Sequence, residues 1–416
     1  MNVELYIEEF VTLWNNSHSR FPELGEVVIH EEKIKREEAL EQFMQQAKRE
    51  VAVTGADVFG GSNLPLNTKK RVTEMFKHIF NFQDDEFSVF SGRGFTSVTK
   101  EFMNMARNFD PSVSMDDVFQ ACRNLWIINS LQILMDEPVR VGSAAFAYSM
   151  LYPYTDNYLD DVSVSKSEKI SFSNRFSARL HGHNVLAVNN YEQKIFDLVS
   201  MIEIEWPRQN YPKVYESLVA IHDAQTRSIQ LVSKESALTD NDLLSVCIAK
   251  GGTSVVADGY LIRGDMTVEQ EWFCFGFGTL LQFIDDIQDV NEDCSGQLET
   301  IFTRGALSGK LEELTNRTLS FTHSVLEKIN YCYRSSATPS VRGLMEKSVV
   351  SMLSEAVALN VQFFSPVYSS AFEQHSPFRY SFIRKRRNNS DPSRISLMKT
   401  IEGYIFGKEK AVVGIS

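Results

Sequence analysis

Apolar residues recur at three- and four-residue intervals along most of the chain, and no stretch shows the strict alternation of a half-buried strand. That period predicts helices over 3–15, 33–49, 67–80, 94–108, 114–134, 140–162, 167–180, 189–204, 208–233, 239–262, 268–293, 308–332 and 339–364. Start signals support several of them. Asp116 and Asp117 follow Ser114 in a first turn, where the helix dipole favours acids, and Thr239 precedes Asp240 as an N-cap. Stop signals follow at His181-Gly182-His183-Asn184 and at Gly264-Asp265.

The breaks are short and evenly spread, so the pattern describes one large all-α bundle. The loosest early stretch, 50–65, sets off residues 1–65 as an N-terminal helical extension from a main helical domain over 66–370. Residues 371–416 form a less regular tail with a basic run, Arg384-Lys385-Arg386-Arg387.

Two places depart from ordinary amphipathic patterning. In LQFIDDIQDVNED, Asp285, Asp289 and Asp293 stand at i, i+4 and i+8, which lines three carboxylates along one helix face, with Asp286 and Glu292 flanking it. No Lys or Arg lies between Arg263 and Arg304, so nothing nearby in sequence neutralises the row. Like charges one turn apart destabilise a helix, so such a row calls for a cation from elsewhere. Oxygen-only ligands select a hard ion, and Mg²⁺ characteristically joins a few carboxylates to substrate phosphates.

The second place is YPYTDNYLDD, where Asp156 and Asp160 again lie one turn apart and Asp161 follows. Each acidic row ends an uncharged run, Val141–Thr155 in one case and Trp272–Ile284 in the other. Two greasy helices, each with carboxylates at its end, predict a central apolar cavity with metal ligands at its mouth. That suits a hydrocarbon tail with a diphosphate head.

Composition narrows the classes. A net charge of −12 argues against a nucleic-acid partner, which would need a basic surface to displace counterions. The five cysteines are widely spaced with no CxxC pair, as expected of reduced thiols in a cytoplasmic protein. The first residues carry acids rather than a basic leader, and no uncharged run reaches the roughly 20 residues that span a bilayer. Peripheral membrane contact is left to the basic tail. The oligomeric expectation is monomer or homodimer.

With both motifs in view, the chain resembles the class I trans-isoprenoid (terpenoid) synthase superfamily. LQFIDDIQDVNED is similar to the second motif of squalene/phytoene synthases and to the metal-binding triad of terpene cyclases, and DNYLDD resembles the first aspartate-rich motif. The wider context (YPYTDNYLDD, FSNRFSARLHG, KGGTSVVADGYL) looks most like bacterial large-terpene, or class IB, synthases. Asp285 and Gln288 stand where squalene and phytoene synthases usually carry Asn and Arg.

The resemblance implies an all-α bundle in which Mg²⁺, three ions with diphosphate bound, is gripped by Asp156, Asp160, Asp161, Asp285, Asp286, Asp289 and Asp293. Asp156, Asp160, Asp285 and Asp289 would be catalytic. Arg175, Arg179, Arg227, Lys250, Arg379 and Tyr380 are candidates for the diphosphate, because cations and phenols donate to phosphate oxygens. Phe146, Tyr148, Phe275 and Phe277 are candidates for the cavity wall, where ring faces stabilise a carbocation. Lys250-Gly251-Gly252 predicts a kink where backbone approaches a ligand. The expected activity is ionisation of a linear prenyl diphosphate, geranylgeranyl or longer, followed by cyclisation or elimination. Two alternatives stand beside it: a head-to-head or chain-elongating prenyltransferase, and a non-catalytic prenyl-lipid-binding protein.

Overall fold

The computed structural model describes residues 1–54, 86, 94–161, 163–232 and 238–387. Among these there is no strand; the chain is all-α. In order, the helices are α1 (Val3–Asn16), α2 (His30–Thr54), α3 (Phe95–Phe109), α4 (Met115–Leu134), α5 (Ser143–Asp160), α6 (Lys166–Leu180), α7 (Asn190–Glu205), α8 (Pro212–Val232) and α9 (Asp240–Arg263). Then follow α10 (Val268–Gln288), α11 (Val290–Ser295), α12 (Ile301–Leu307), α13 (Leu311–Glu327), α14 (Ile329–Cys332), α15 (Thr338–Leu359), α16 (Pro366–Glu373) and α17 (Tyr380–Arg387). No described helix is long and apolar enough to cross a membrane.

The chain divides into two compact units drawn from non-adjacent segments, Met1–Pro22 with Asp116–Arg342, and Glu23–Met115 with Gly343–Ser416. The expected boundary at 65/66 and the expected helix at 67–80 lie outside the described residues, and the boundary at 370/371 falls within α16.

In the first unit α9 and α10 pack against each other most extensively, with α8 and α1 against α9 and α13 against α10. Glycines permit the central contact. A Cβ on Gly251 would overlap the Gly278 carbonyl oxygen, and a Cβ on Gly278 would overlap that of Gly251. Two backbones therefore touch where side chains would hold helices apart. Helix α9 continues through Lys250-Gly251-Gly252, and Gly251 there serves this close crossing.

Helix α1 lays an aromatic face on α10 and α13. Tyr6 and Phe10 stack on Phe275 at 5.1 and 5.4 Å, and Trp14 meets Phe283 at 4.4 Å. Glu271 ties the same layers together by accepting from the phenols of Tyr6 (3.0 Å) and Tyr260.

Helix ends follow local chemistry. Ser165 with Glu168, Thr239 with Asp242 and Thr267 with Gln270 form capping boxes, satisfying otherwise orphaned N–H groups at the starts of α6, α9 and α10. Gly264 closes α9 with φ +77°.

The helix expected over 268–293 is divided at Asp289, the shared cap of α10 and α11. The one expected over 308–332 is divided at Lys328. The short helices α12, α16 and α17 leave no periodic signal in the sequence, because one or two turns hold too few apolar repeats.

Candidate active site

The first acidic row ends α5. Tyr148, Tyr152 and Asp156 occupy one face of this helix at four-residue spacing. Gln225 of α8 donates from Nε2 to Asp156 Oδ1 at 3.4 Å. Asn157 donates to Asp117 at 2.7 Å, holding this end of α5 to the start of α4. The side chain of Asp160 lies outside the described residues. Asp161 is exposed and accepts from the Ser163 N–H at 2.8 Å, so the carboxylate expected on a metal closes a turn. Those Ser163 hydrogen bonds hold its carboxyl below the usual range.

The second row spans the α10–α11 junction. Although Asp289 leaves helical geometry (φ −93°, ψ 4°), its N–H still bonds to the Asp285 carbonyl and the Asp293 N–H to that of Asp289, both at 2.9 Å. The i, i+4, i+8 relation therefore survives the break.

The adjacent acids divide by orientation. Asp285 is exposed, whereas Asp286 is only 8% exposed and faces inward. Cys247 Sγ donates to one Asp286 oxygen at 3.0 Å and Gln282 Nε2 to the other at 2.8 Å. Burial pushes the Asp286 carboxyl up to about 6, against the pull of those two hydrogen bonds.

Asp293 is pushed up to about 7, by burial and then by Asp286, Asp289, Asp285 and Glu292. The charges that raise it most are all carboxylates.

Lys250, on α9, connects the two rows. Burial would lower the affinity of its ammonium for the proton, but Tyr152, Asp286, Asp156 and Asp285 outweigh burial and keep it charged. Its place follows from the Gly251–Gly278 crossing, which brings this α9 face against α10 two turns before Asp285. One ammonium thus stands in the field of acids from both motifs.

Further down the same α9 face comes Ser254, whose carbonyl accepts from the Tyr148 phenol at 3.1 Å, and then Asp258. Asp258 is 0% exposed; it accepts from Asn124 Nδ2 at 3.0 Å through one oxygen, and the other is buried without a partner. Burial holds this carboxyl well above the usual range, against the Asn124 hydrogen bond, and so favours its protonated form.

The other basic candidates are engaged elsewhere. Arg175 clamps Glu192 through two bonds of 2.7 and 2.9 Å. Arg179 grips Glu203 at 2.6 Å and Ser200 at 2.9 Å, and Arg208 shares Glu203. Arg227 pairs with Glu4 at 3.0 Å on the surface. Arg379 and Tyr380 belong to the second compact unit, where Arg379 grips Glu37 at 2.9 Å and the Tyr380 phenol meets Ser354 at 3.4 Å.

The four aromatic candidates are all buried. Tyr148 is bonded to Ser254, Phe275 is packed under α1 against Gly252, and Phe277 stacks on Phe273 at 5.9 Å. Phe146 is 1% exposed. Sequence reasoning missed Tyr152, Gln225, Cys247, Asn124 and Asp258. Only Asp258 left a signal, as a lone acid two turns beyond Lys250 in an otherwise apolar run.

Among the described residues no three His, Cys, Asp or Glu side chains converge to hold an ion by themselves. Asp156 on α5 and Asp285, Asp289 and Asp293 along α10 and α11 are hard oxygen donors. They fit an ion whose coordination is completed by phosphate oxygens.

No family model matches the chain, and no curated protein matches it. Among solved structures, the crystal structure of geranylgeranyl pyrophosphate synthetase from Pyrococcus horikoshii Ot3 overlaps 85% of this chain and 100% of its own. The identity is 14% and the TM-score 0.33, a likeness too slight to bear on function, so the residues themselves are the basis for any functional reading.

Proposed function

We propose that the chain is a class I isoprenoid synthase that ionises a prenyl diphosphate, with loss of diphosphate, at the mouth formed by Asp156, Asp285, Asp289 and Asp293. The observation that carries this is the placement of Lys250 within the field of Asp156, Asp285 and Asp286 together. An anion with its own cations can enter between two acidic rows, and Lys250 supplies the fixed positive charge that receives it. Asp156 on one side and Asp285, Asp289 and Asp293 on the other would hold Mg²⁺. When bound, that ion supplies Lewis-acid neutralisation of the leaving group's charge. Gln225 keeps the Asp156 carboxylate oriented. The apolar lengths of α5 and α10 beside the site keep water from the reacting carbon.

The test is incubation with prenyl diphosphates of increasing length, with and without Mg²⁺, following diphosphate release and product mass. Release only with Mg²⁺ and a product of unchanged carbon count supports cyclisation or elimination of a long prenyl chain. A doubled carbon count would make the chain a head-to-head prenyltransferase. Binding without any release, with every substrate, would leave a lipid-binding protein and end the proposal.

A further inference from the structure

The Tyr148–Ser254 hydrogen bond fixes the register of α5 against α9. From that contact the helices run in opposite directions. One turn along α5, about 6 Å, is Tyr152, and one turn back along α9 is Lys250. Tyr152 therefore lies opposite the ammonium, one turn below Asp156. The same register places Asn124 between Ser149 (3.2 Å) and Asp258 (3.0 Å) at the deeper end.

The two phenols of this face differ in what they do. Tyr148 is 4% exposed and its hydroxyl is spent on the Ser254 carbonyl. Tyr152 is partly exposed, and among the described residues its hydroxyl makes no hydrogen bond. It lies within the field of Asp156, Lys250 and Asp285. A phenol left unbonded beside a charged ammonium, facing two acidic rows, has a donor to offer to whatever enters between them.

We propose that Tyr152 is a further catalytic residue of this site, its phenol donating a hydrogen bond to a diphosphate oxygen beside the Lys250 ammonium. The assignment rests on the diphosphate reading above and deepens it. When the carbon–oxygen bond breaks, its electron pair leaves with the diphosphate, and the Tyr152 O–H meets the charge that develops there. The proton stays on the phenol. Burial and the neighbouring Asp156 push it up to about 12, despite the opposing pull of Lys250, so Tyr152 is a donor and not a base at neutral pH. Donors aimed at developing charge in an enclosed site act on the rate more than on ground-state binding.

The experiment compares wild type with Tyr152→Phe, which removes only the hydroxyl. Diphosphate release from the best prenyl substrate should fall about 10²-fold in kcat with KM little changed, while the thermal midpoint stays in place. Binding of inorganic pyrophosphate with Mg²⁺, measured by calorimetry, should weaken about ten-fold, the scale of one hydrogen bond to a charged group. A kcat within three-fold of wild type, or unchanged pyrophosphate affinity in a folded variant, overturns the assignment. If Tyr152→Phe unfolds early, Tyr152→Met is measured by the same two criteria. Should wild type release diphosphate from no prenyl substrate, the functional reading fails, and the pyrophosphate affinities alone decide the role of Tyr152.

Discussion

Gly251 and Gly278 bring the backbones of α9 and α10 into direct contact, each standing where the other's Cβ would overlap a carbonyl oxygen. This crossing sets the distance between Lys250 and the second acidic row, and so joins packing to chemistry. Gly278→Ala should cost about 1–3 kcal/mol, the range for overpacking a tight core, because the obstacle is backbone and cannot swing aside. Urea unfolding measures the loss, and a folded Gly278→Ala protein should also release diphosphate more slowly. Unchanged stability would mean that the helices separate without penalty.

Lys250 and Arg175 make a second comparison. Lys250→Met removes an ammonium that stands in the field of both rows, and should reduce diphosphate release by about 10²-fold or more. Arg175→Met breaks the clamp on the buried carboxylate of Glu192, so its effect should appear in thermal stability and leave the release rate near wild type. Equal losses of activity in the two folded variants would place Arg175 in the site as well.

Asp156→Asn and Asp289→Asn each keep side-chain size while removing a charge. Both should abolish Mg²⁺-dependent diphosphate release without lowering the melting temperature. Retained turnover in both variants sinks the two-row mechanism.

Asp258 provides a pH test. Its carboxyl is held well above the usual range by burial, so the folded chain keeps this proton more tightly than the unfolded chain does. Its contribution to stability is therefore complete below the unfolded pKa of about 4 and is lost as pH rises toward the folded pKa. Asn at this position can still accept from Asn124 and carries no charge to bury. Asp258→Asn should thus gain stability relative to wild type on going from pH 5 to pH 8, as read by urea midpoints. A constant difference across that range would show that the group does not titrate in this way.

Much of the site was legible in the chain because it depends on local spacing. Asp285, Asp289 and Asp293 share a face through the pitch of the helix, and backbone bonds at 2.9 Å preserve that relation even where α10 gives way to α11. The uncharged runs before both rows likewise foretold buried helices, since segments so apolar must leave water.

What periodicity cannot express is which partner a side chain finds across the fold. Asp285 and Asp286 are adjacent, yet one is exposed and the other bonds to Cys247 and Gln282, because successive residues on a helix point about 100° apart and only packing decides which points inward. Arg175 and Arg179 resembled phosphate ligands, and tertiary contact gave them to Glu192 and Glu203. Lys250 was one basic candidate among five; the Gly251–Gly278 contact set it between the rows, and the register of α5 on α9 set Tyr152 opposite. Spacing along one helix is a local property of the chain, whereas pairing between helices depends on backbones coming close enough to exclude water, which happens only in the folded molecule.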